Sequence, residues 1–290
     1  MLDFIINPIA GGKHGKKIRK TVSIIESYLK ERKVEYNIHL TRCKGNATTI
    51  TDALIKKGAT DIVVVGGDGS LHEVINGFSN FEKVNLGLIP CGTGNDFAKS
   101  IGIPKNAIKA LDIIIDGSPK YTDFMQMPTV RGLNIIGMGI DVDVLKRYEA
   151  LKKKNKFGYT KCLIKTLFDF DYTDFEVSLD GELHKYHSFI VCFANGCVYG
   201  GGIPVCPCAD PTDGKMDFVA VKAIKRSKII GAFLKLKAGK ILEQDYTEHI
   251  TCNSIKLFAN PPYTVNVDGE LYNDIPFEIK LVSNTLKMYR

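Results

Sequence analysis

Apolar residues in the first 125 positions fall into two alternating patterns. Short β-branched runs, at 3–7, 34–40, 62–65 and 85–89, read as strands. Ile62-Val63-Val64-Val65 has no polar alternation, so it predicts a strand buried on both faces of a parallel sheet. Between these runs the apolar spacing changes to three and four. Ile18, Val22, Ile25 and Leu29 form one stripe of a helix over 16–33. Asn46 is placed to cap a helix carrying Ile50, Ala53 and Leu54 and stopped by Gly58. Leu71, Val74 and Ile75 share a helical face, and a further helix fits 106–115, followed by a strand ending near Asp123. Strand–helix alternation of this kind argues a parallel sheet covered by helices.

Beyond Asp123 the pattern changes. A glycine-bearing strand fits 133–142 and a helical region 146–170. Short strands then dominate, at 175–179, 187–194, 215–221, 254–258, 263–267 and 277–282. Asp180-Gly181 reads as a hairpin turn, and Ser227 as the cap of a short helix through Ala238. The chain thus divides into an α/β domain over 1–125 and a mostly antiparallel β domain, a sandwich, over 126–290. The last strand, 285–289, can pair with either.

Three of the early strands run into polar, glycine-bearing loops: Asn7-Pro8-Ile9-Ala10-Gly11-Gly12, Gly66-Gly67-Asp68-Gly69-Ser70 and Gly92-Thr93-Gly94-Asn95-Asp96. In a parallel sheet such loops gather at the carboxyl edge, where ligands bind. Gly66, Gly67 and Gly69 allow positive φ and leave no Cβ between backbone N–H groups and a ligand. Asp68 among anion-binding amides makes sense when a cation is shared with a phosphate, which points to a nucleotide–Mg²⁺ site. A structural turn with Asp68 as a helix cap is the alternative. G-x-x-x-x-G-K-[ST] is absent, and G-x-G-x-x-G fails at His72.

Composition narrows the partners. The 290 residues are 44% hydrophobic and 24% charged, as in a globular protein. Lys+Arg 39 against Asp+Glu 32 gives +7, compatible with anionic ligands or an anionic membrane surface and too dispersed for nucleic acid. Lys152-Lys153-Lys154-Asn155-Lys156 reads as a solvated loop. With no signal peptide pattern and no run approaching the ~20 apolar residues of a span, the expectation is a cytoplasmic protein that touches lipid, if at all, from outside. The eight cysteines read as reduced and mostly buried, and Cys192-x4-Cys197 with Cys206-x-Cys208 lacks zinc-ribbon spacing.

The three loops in this order, with Glu73, Asn76-Gly77, Phe97 and Ala98, resemble the diacylglycerol kinase catalytic domain of soluble bacterial lipid kinases and of sphingosine and ceramide kinases. Gly200-Gly201-Gly202, the stretch from Asp210 to Asp217, and Asn266-Val267-Asp268-Gly269-Glu270 extend the likeness over nearly the whole chain. The resemblance implies a phosphofructokinase- and NAD-kinase-like α/β domain followed by a β-sandwich, an active site in the cleft between them, and transfer of phosphoryl from ATP to a hydroxyl of diacylglycerol or a related lipid. It implies nucleotide binding by Asn7, Pro8, Ile9, Ala10 and Gly11, by Thr41, by Gly66, Gly67, Asp68, Gly69, Ser70, Leu71 and His72, and by Thr93, with Lys13 and Lys161 as weaker phosphate contacts. Asp68 would act through Mg²⁺, with Asp96 and Asp123 completing the acidic cluster. Glu270 would be the general base, held by Asp268. A structural Mg²⁺ would lie on Asp213 with carbonyls of Asp210 and Lys215; an Asx turn without metal is the alternative. Asp180-Gly181-Glu182 repeats the tripeptide of Asp268-Gly269-Glu270, and only the resemblance assigns catalysis to the second. Ser70 stands where the family usually has Thr, and His72 where it often has Asn; a histidine on a first helical turn reads as exposed. The competing functions are an NAD kinase, which shares the G-G-D-G core, and a silent nucleotide- or lipid-binding protein. Peripheral contact with the inner membrane face and pairing of two copies through a sheet edge are compatible with the sequence.

Overall fold

The computed structural model describes residues 1–10, 15–151, 156–258 and 263–290. Two compact units emerge: Met1–Asp123 with Ser283–Arg290, and Phe124–Val282.

In the first unit, β1 (Leu2–Ile6), β2 (Tyr36–Leu40), β3 (Asp61–Gly66) and β4 (Asn85–Pro90) form a parallel sheet in the order β2-β1-β3-β4. The apolar run at 62–65 is fully buried at the sheet centre, as a strand flanked by helices on both faces requires. The end of β15 (Glu278–Tyr289) adds in parallel to β4, with Lys287 opposite Asn85. Arg290 donates to Thr122 and Tyr121 of β5 (Pro119–Gln126). The helices are α1 (Lys16–Glu31), α2 (Asn46–Lys56), α3 (Asp68–Asn76), α4 (Asp96–Ser100) and α5 (Ala107–Asp116). Ile18, Ile25 and Leu29 bury the predicted stripe of α1, whereas Ala53 of α2 is exposed and its inner face is Ala47, Thr51 and Leu54.

Among the described residues of the second unit, the strand pairings are antiparallel. The strands β14 (Glu270–Asn273), β13 (Thr264–Val267), β7 (Ile135–Gly139), β9 (Glu182–Ala194), β8 (Thr173–Leu179) and β12 (Ser254–Phe258) lie in that order, ending on the first residues of β15. The first half of β9 pairs with β8 and its second half with β7. β10 (Met216–Lys222) joins the other edge of β9 and β11 (Thr247–Cys252) joins β10. Phe175, Val177, Phe193, Phe218, Val265, Val267, Phe277 and Ile279 fill the core of this sandwich. A short pairing of β5 with β6 (Arg131–Gly132) precedes it. The helices α6 (Ile140–Glu149), α7 (Lys156–Asp169) and α8 (Ile229–Lys237) complete the unit.

Several boundaries differ from the sequence expectation. Residues 140–142 are helical, because Gly139 (φ 96) ends β7 and opens α6. The strands expected at 277–282 and 285–289 are one strand, with Asn284 at φ 54 marking the irregularity between them. Ser227 lies inside a 3₁₀ turn, Arg226–Lys228, instead of capping α8. β11, β14 and α4 are additional to the elements that the apolar pattern predicts.

Candidate active site

The carboxyl edge of the first unit's sheet carries the three loops. Asn7 N–H reaches the Val65 carbonyl at 3.4 Å, and its side chain accepts from Ile9 N–H at 3.1 Å while donating to Ser70 Oγ at 3.3 Å. One asparagine therefore joins the loop after β1 to the turn after β3. Thr41 is tied in beside them, its N–H donating to the Ile6 carbonyl at 2.9 Å. Ile9 is exposed, and Gly11 and Lys13 lie outside the described residues.

The turn after β3 is shorter than expected. Helix α3 begins at Asp68 itself, and Gly66, Gly67 and Gly69 do not adopt positive φ. Close approach is what demands glycine here. A Cβ on Gly67 would come within 2.8 Å of Gly92 Cα, and one on Gly92 within 2.5 Å of Gly67 Cα, so the two loops touch backbone to backbone. Asn95, at φ 53, closes the second loop by accepting from Gly92 N–H at 2.8 Å and donating to its carbonyl at 3.0 Å. Thr93 is exposed at the loop tip.

Asp68 is where the two readings of this stretch meet. Its Oδ1 accepts from the N–H groups of Asp96 at 2.7 Å and Phe97 at 3.2 Å, so it caps α4, a helix distant in sequence. Its Oδ2 points elsewhere. A Cβ on Gly94 would lie 2.9 Å from Asp68 Oδ2 and 3.3 Å from Asp96 Oδ2, which places both oxygens against the same glycine. Asp96 also accepts from Lys99 Nζ at 2.7 Å. Burial, and then the Asp96 charge, push the Asp68 carboxyl up to about 6, against the pull of backbone N–H groups at 95–97. Two hard oxygen donors held together at the cost of mutual repulsion fit a Mg²⁺ ion bound with phosphate. Asp123 is buried on β5.

Leu71 and His72 turn their side chains inward from α3. The Leu71 side chain is in the core and its N–H donates to the Gly67 carbonyl at 3.0 Å. His72, expected exposed, is buried at 3%. Glu73 has a role the periodicity does not reveal. Its carboxylate accepts from Gly45 N–H at 2.9 Å and Ala47 N–H at 3.0 Å, capping α2 from α3. Asn46, expected to do this, accepts from Arg42 N–H instead.

In the second unit, Asp268 (φ 53) and Gly269 (φ 95) make the two-residue turn between β13 and β14. The Asp268 carboxylate accepts from Leu133 N–H at 2.7 Å, Asn134 N–H at 2.9 Å and Ile135 N–H at 3.1 Å. It clamps the start of β7 to the turn and thereby fixes the residue that follows, half-buried Glu270. Beneath the turn, Asn266 accepts from Gly269 N–H at 2.8 Å and donates to Asp141 Oδ2 at 3.0 Å. Asp141, which the sequence does not single out, is buried; burial raises its carboxyl to about 6, and its Oδ1 has no hydrogen-bond partner. In the loop before β10, Asp213 Oδ1 accepts from Lys215 N–H at 2.9 Å, an Asx turn, and the Asp210 carbonyl accepts from Thr212 and Asp213. Lys161 is exposed on α7.

A glycine-looped carboxyl edge with paired carboxylates, followed by a β-sandwich, suits a nucleotide-using phosphotransferase. The comparisons agree. Residues 2–127 match the diacylglycerol kinase catalytic domain, and residues 134–290 match the YegS C-terminal NAD kinase beta sandwich-like domain. Diacylglycerol kinases of Mycobacterium tuberculosis and of Bacillus subtilis are each 27% identical to this chain. The first similarity covers 99% of the chain and 94% of the relative, the second 94% and 91%. A crystal structure of a diacylglycerol kinase from Bacillus anthracis superposes with a TM-score of 0.74 at 24% identity, over 99% of this chain and 96% of that one. An NAD kinase from Archaeoglobus fulgidus, solved with ATP, shares the fold at a TM-score of 0.55 and 14% identity, over 100% of this chain and 94% of that one. The chain belongs to the diacylglycerol kinase family, and it is a lipid kinase of that type.

Proposed function

We propose that the protein transfers the γ-phosphoryl of ATP to a free hydroxyl of diacylglycerol or a related lipid, with Mg²⁺. The observation that carries this reading is the pair of Asp68 and Asp96 oxygens against Gly94, on a loop edge otherwise built of glycine backbone. Phosphoryl transfer asks the protein mainly to position and to neutralise charge. Asn7, Pro8, Gly67, Ser70 and Thr93 hold the nucleotide, with Thr41 at the rim. Asp68, helped by Asp96 and Asp123, holds Mg²⁺, which neutralises charge developing on the phosphates. Glu270 accepts the proton of the lipid hydroxyl, an act that needs an approach of about 2.6–3.2 Å. Asp268 acts on Glu270 through the backbone it fixes.

The acceptor is presented at a lipid surface. Ile164 and Phe168 on α7 and Ile230 and Leu234 on α8 are exposed large apolar residues, beside exposed Lys161, Lys165, Arg226, Lys228 and Lys235. Arg226, in the 3₁₀ turn before α8, ties that turn to the end of α7 by donating to the Phe168 carbonyl at 3.0 Å. Apolar side chains ringed by cations suit the face of an anionic bilayer. Among the described residues no helix is long and apolar enough to cross a membrane.

The test is incubation of the protein with labelled ATP, Mg²⁺, mixed micelles of several hydroxylated lipids, and NAD. Label is expected in a chloroform-soluble product and is lost in Asp68→Ala. Label in NADP would establish the NAD kinase reading instead, and label in neither a silent binding protein.

A further inference from the structure

Four side chains that the phosphotransfer reading does not use converge in the second unit. Cys206 and Cys208 come from the loop before β10, Asp217 from β10 and His249 from β11. One ligand atom from each lies within 4.8 Å of every other. Cys206 Sγ and Cys208 Sγ are 3.6 Å apart, Cys208 Sγ and His249 Nε2 are 3.9 Å apart, and His249 Nε2 is 2.6 Å from Asp217 Oδ1. Pairing of β10 with β11 sets His249 opposite Val219, two residues from Asp217 and on the same face.

We propose that Cys206, Cys208, Asp217 and His249 form a structural zinc site. Ligand–metal bonds of about 2.3 Å for sulfur and about 2.0–2.1 Å for nitrogen, arranged tetrahedrally, put neighbouring donors roughly 3.3–3.8 Å apart. The sulfur–sulfur separation of 3.6 Å already falls in this range, and the sulfur–nitrogen separation of 3.9 Å lies just above it. The nitrogen–oxygen edge, now a hydrogen bond, opens by a fraction of an ångström when an ion takes the place of its proton. Two sulfurs and an imidazole select zinc or another borderline metal over Mg²⁺ or Ca²⁺, which take oxygen.

A nucleophile–base relay does not account for the group. In such a relay the histidine faces the thiol with one ring nitrogen and the carboxylate with the other. Here Nε2 faces both the Cys208 thiol and the Asp217 carboxylate, and the Cys206 sulfur lies within 4.8 Å of each of these atoms. Burial is graded as a surface-closing site requires: Cys206 and Asp217 are buried, Cys208 and His249 exposed. Cys206 packs on Cys192, Val205 and Val219, which hold that ligand in place. An ion here would staple the loop before β10 onto the β10–β11 pair. The site is independent of the Asp210, Asp213 and Lys215 positions, whose donors are oxygens.

The experiment is titration of Co²⁺ into the reduced, chelator-stripped full chain, followed by displacement with Zn²⁺. One equivalent of Co²⁺ is expected to give tetrahedral visible bands and sulfur-to-metal charge transfer, both lost on adding Zn²⁺ and unaffected by excess Mg²⁺. Cys208→Ser and His249→Gln, both at exposed positions, are each expected to weaken Co²⁺ binding by more than about 100-fold, beyond the roughly 10–100-fold that losing an outer-shell partner costs. Cys43→Ser, an exposed thiol elsewhere, is the control and leaves binding unchanged. Circular dichroism of each variant confirms folding. Absence of saturable Co²⁺ binding by the reduced wild type, or equal binding in Cys208→Ser and wild type, would overturn the site. None of these readouts depends on kinase activity.

Discussion

The second unit contains the tripeptide Asp-Gly-Glu twice, and the two copies fold alike to a degree that makes their differences informative. In both, the aspartate (φ 47 at Asp180, φ 53 at Asp268) and the glycine (φ 95 in each) form a two-residue turn, and the glutamate begins the return strand. In both, the aspartate carboxylate reaches across to clamp another segment. Asp180 accepts from Asn253 N–H, Ser254 N–H and Ser254 Oγ, and Asp268 from three consecutive N–H groups at 133–135. The tripeptide is thus a structural device first. What differs is the surroundings. Glu182 leaves 82% of its side chain in solvent, whereas Glu270 is half-buried over the Asn266–Asp141 pair. Partial shielding suits a general base, and Glu270 has it where Glu182 does not.

The largest expected effect separates the two glutamates. Glu270→Gln removes the proton acceptor without changing shape, and turnover should fall by about 10²–10⁴-fold, the usual worth of general-base catalysis. Glu182→Gln should leave turnover within twofold of wild type, the range expected where no reacting group is touched. Equal losses would mean that both glutamates serve the fold and that the base lies elsewhere. The measurement is lipid phosphorylation at saturating ATP, with thermal melts of both variants beside it.

Next come the aspartates. Either clamp, removed by alanine, leaves backbone N–H groups without their charged acceptor and should cost on the order of 2–3 kcal/mol where those groups stay shielded. Asp268→Ala and Asp180→Ala should therefore both lower the melting temperature, Asp268→Ala by more because its bonds are part-buried and the bonds of Asp180 are exposed. The functional split should be sharper than the thermal one. Asp268→Ala should lower kcat with KM for ATP little changed, since the loops proposed to hold the nucleotide belong to the other unit, and Asp180→Ala should leave kcat intact below its melting temperature. A fall in kcat common to both would show that loosening either turn disturbs the whole sandwich.

How much of this the sequence displays depends on the range of the interaction. Strands 62–65 and 85–89 and the stripe of α1 are legible because burial on a local period marks them directly. The three loops are legible because glycine and aspartate directly after an apolar strand are the residues that a ligand-binding turn requires. Contacts across sequence are not. Glu73 capping α2, Asp68 capping α4 and Asp268 clamping β7 are carboxylates meeting backbone N–H groups 26–135 positions away, and nothing in local spacing announces such a partner. The same holds for Cys206-x-Cys208. The pair lacks zinc-finger spacing because its other two candidate ligands, Asp217 and His249, arrive through strand pairing, His249 from 41 positions away. Glycine at 67 is ambiguous in sequence for a related reason: positive φ is the frequent cause, close packing against the distant Gly92 the actual one.

The last comparison concerns Asp141, the buried acid beneath the second turn. Asp141 is fully enclosed, and its carboxyl is raised to about 6 from an ordinary 3.8 chiefly by burial. A group whose folded pKa lies above its unfolded value binds its proton more tightly in the native state. Its contribution is therefore complete below pH 3.8 and is lost as pH rises toward 6, on the order of 3 kcal/mol in all. Above that range the ionised carboxylate is tolerated at the turn's expense. Asp141→Asn keeps the shape and an acceptor for Asn266 Nδ2 but cannot ionise. It should flatten the fall in urea midpoint between about pH 4 and 6.5 and leave the variant at least as stable as wild type at about pH 8. The matching change at the first turn has no buried acid to neutralise, so Glu182→Gln should leave that slope as it is. An unchanged pH slope in Asp141→Asn would mean that the enclosed carboxyl is ionised throughout, and that the second turn differs from the first in exposure alone.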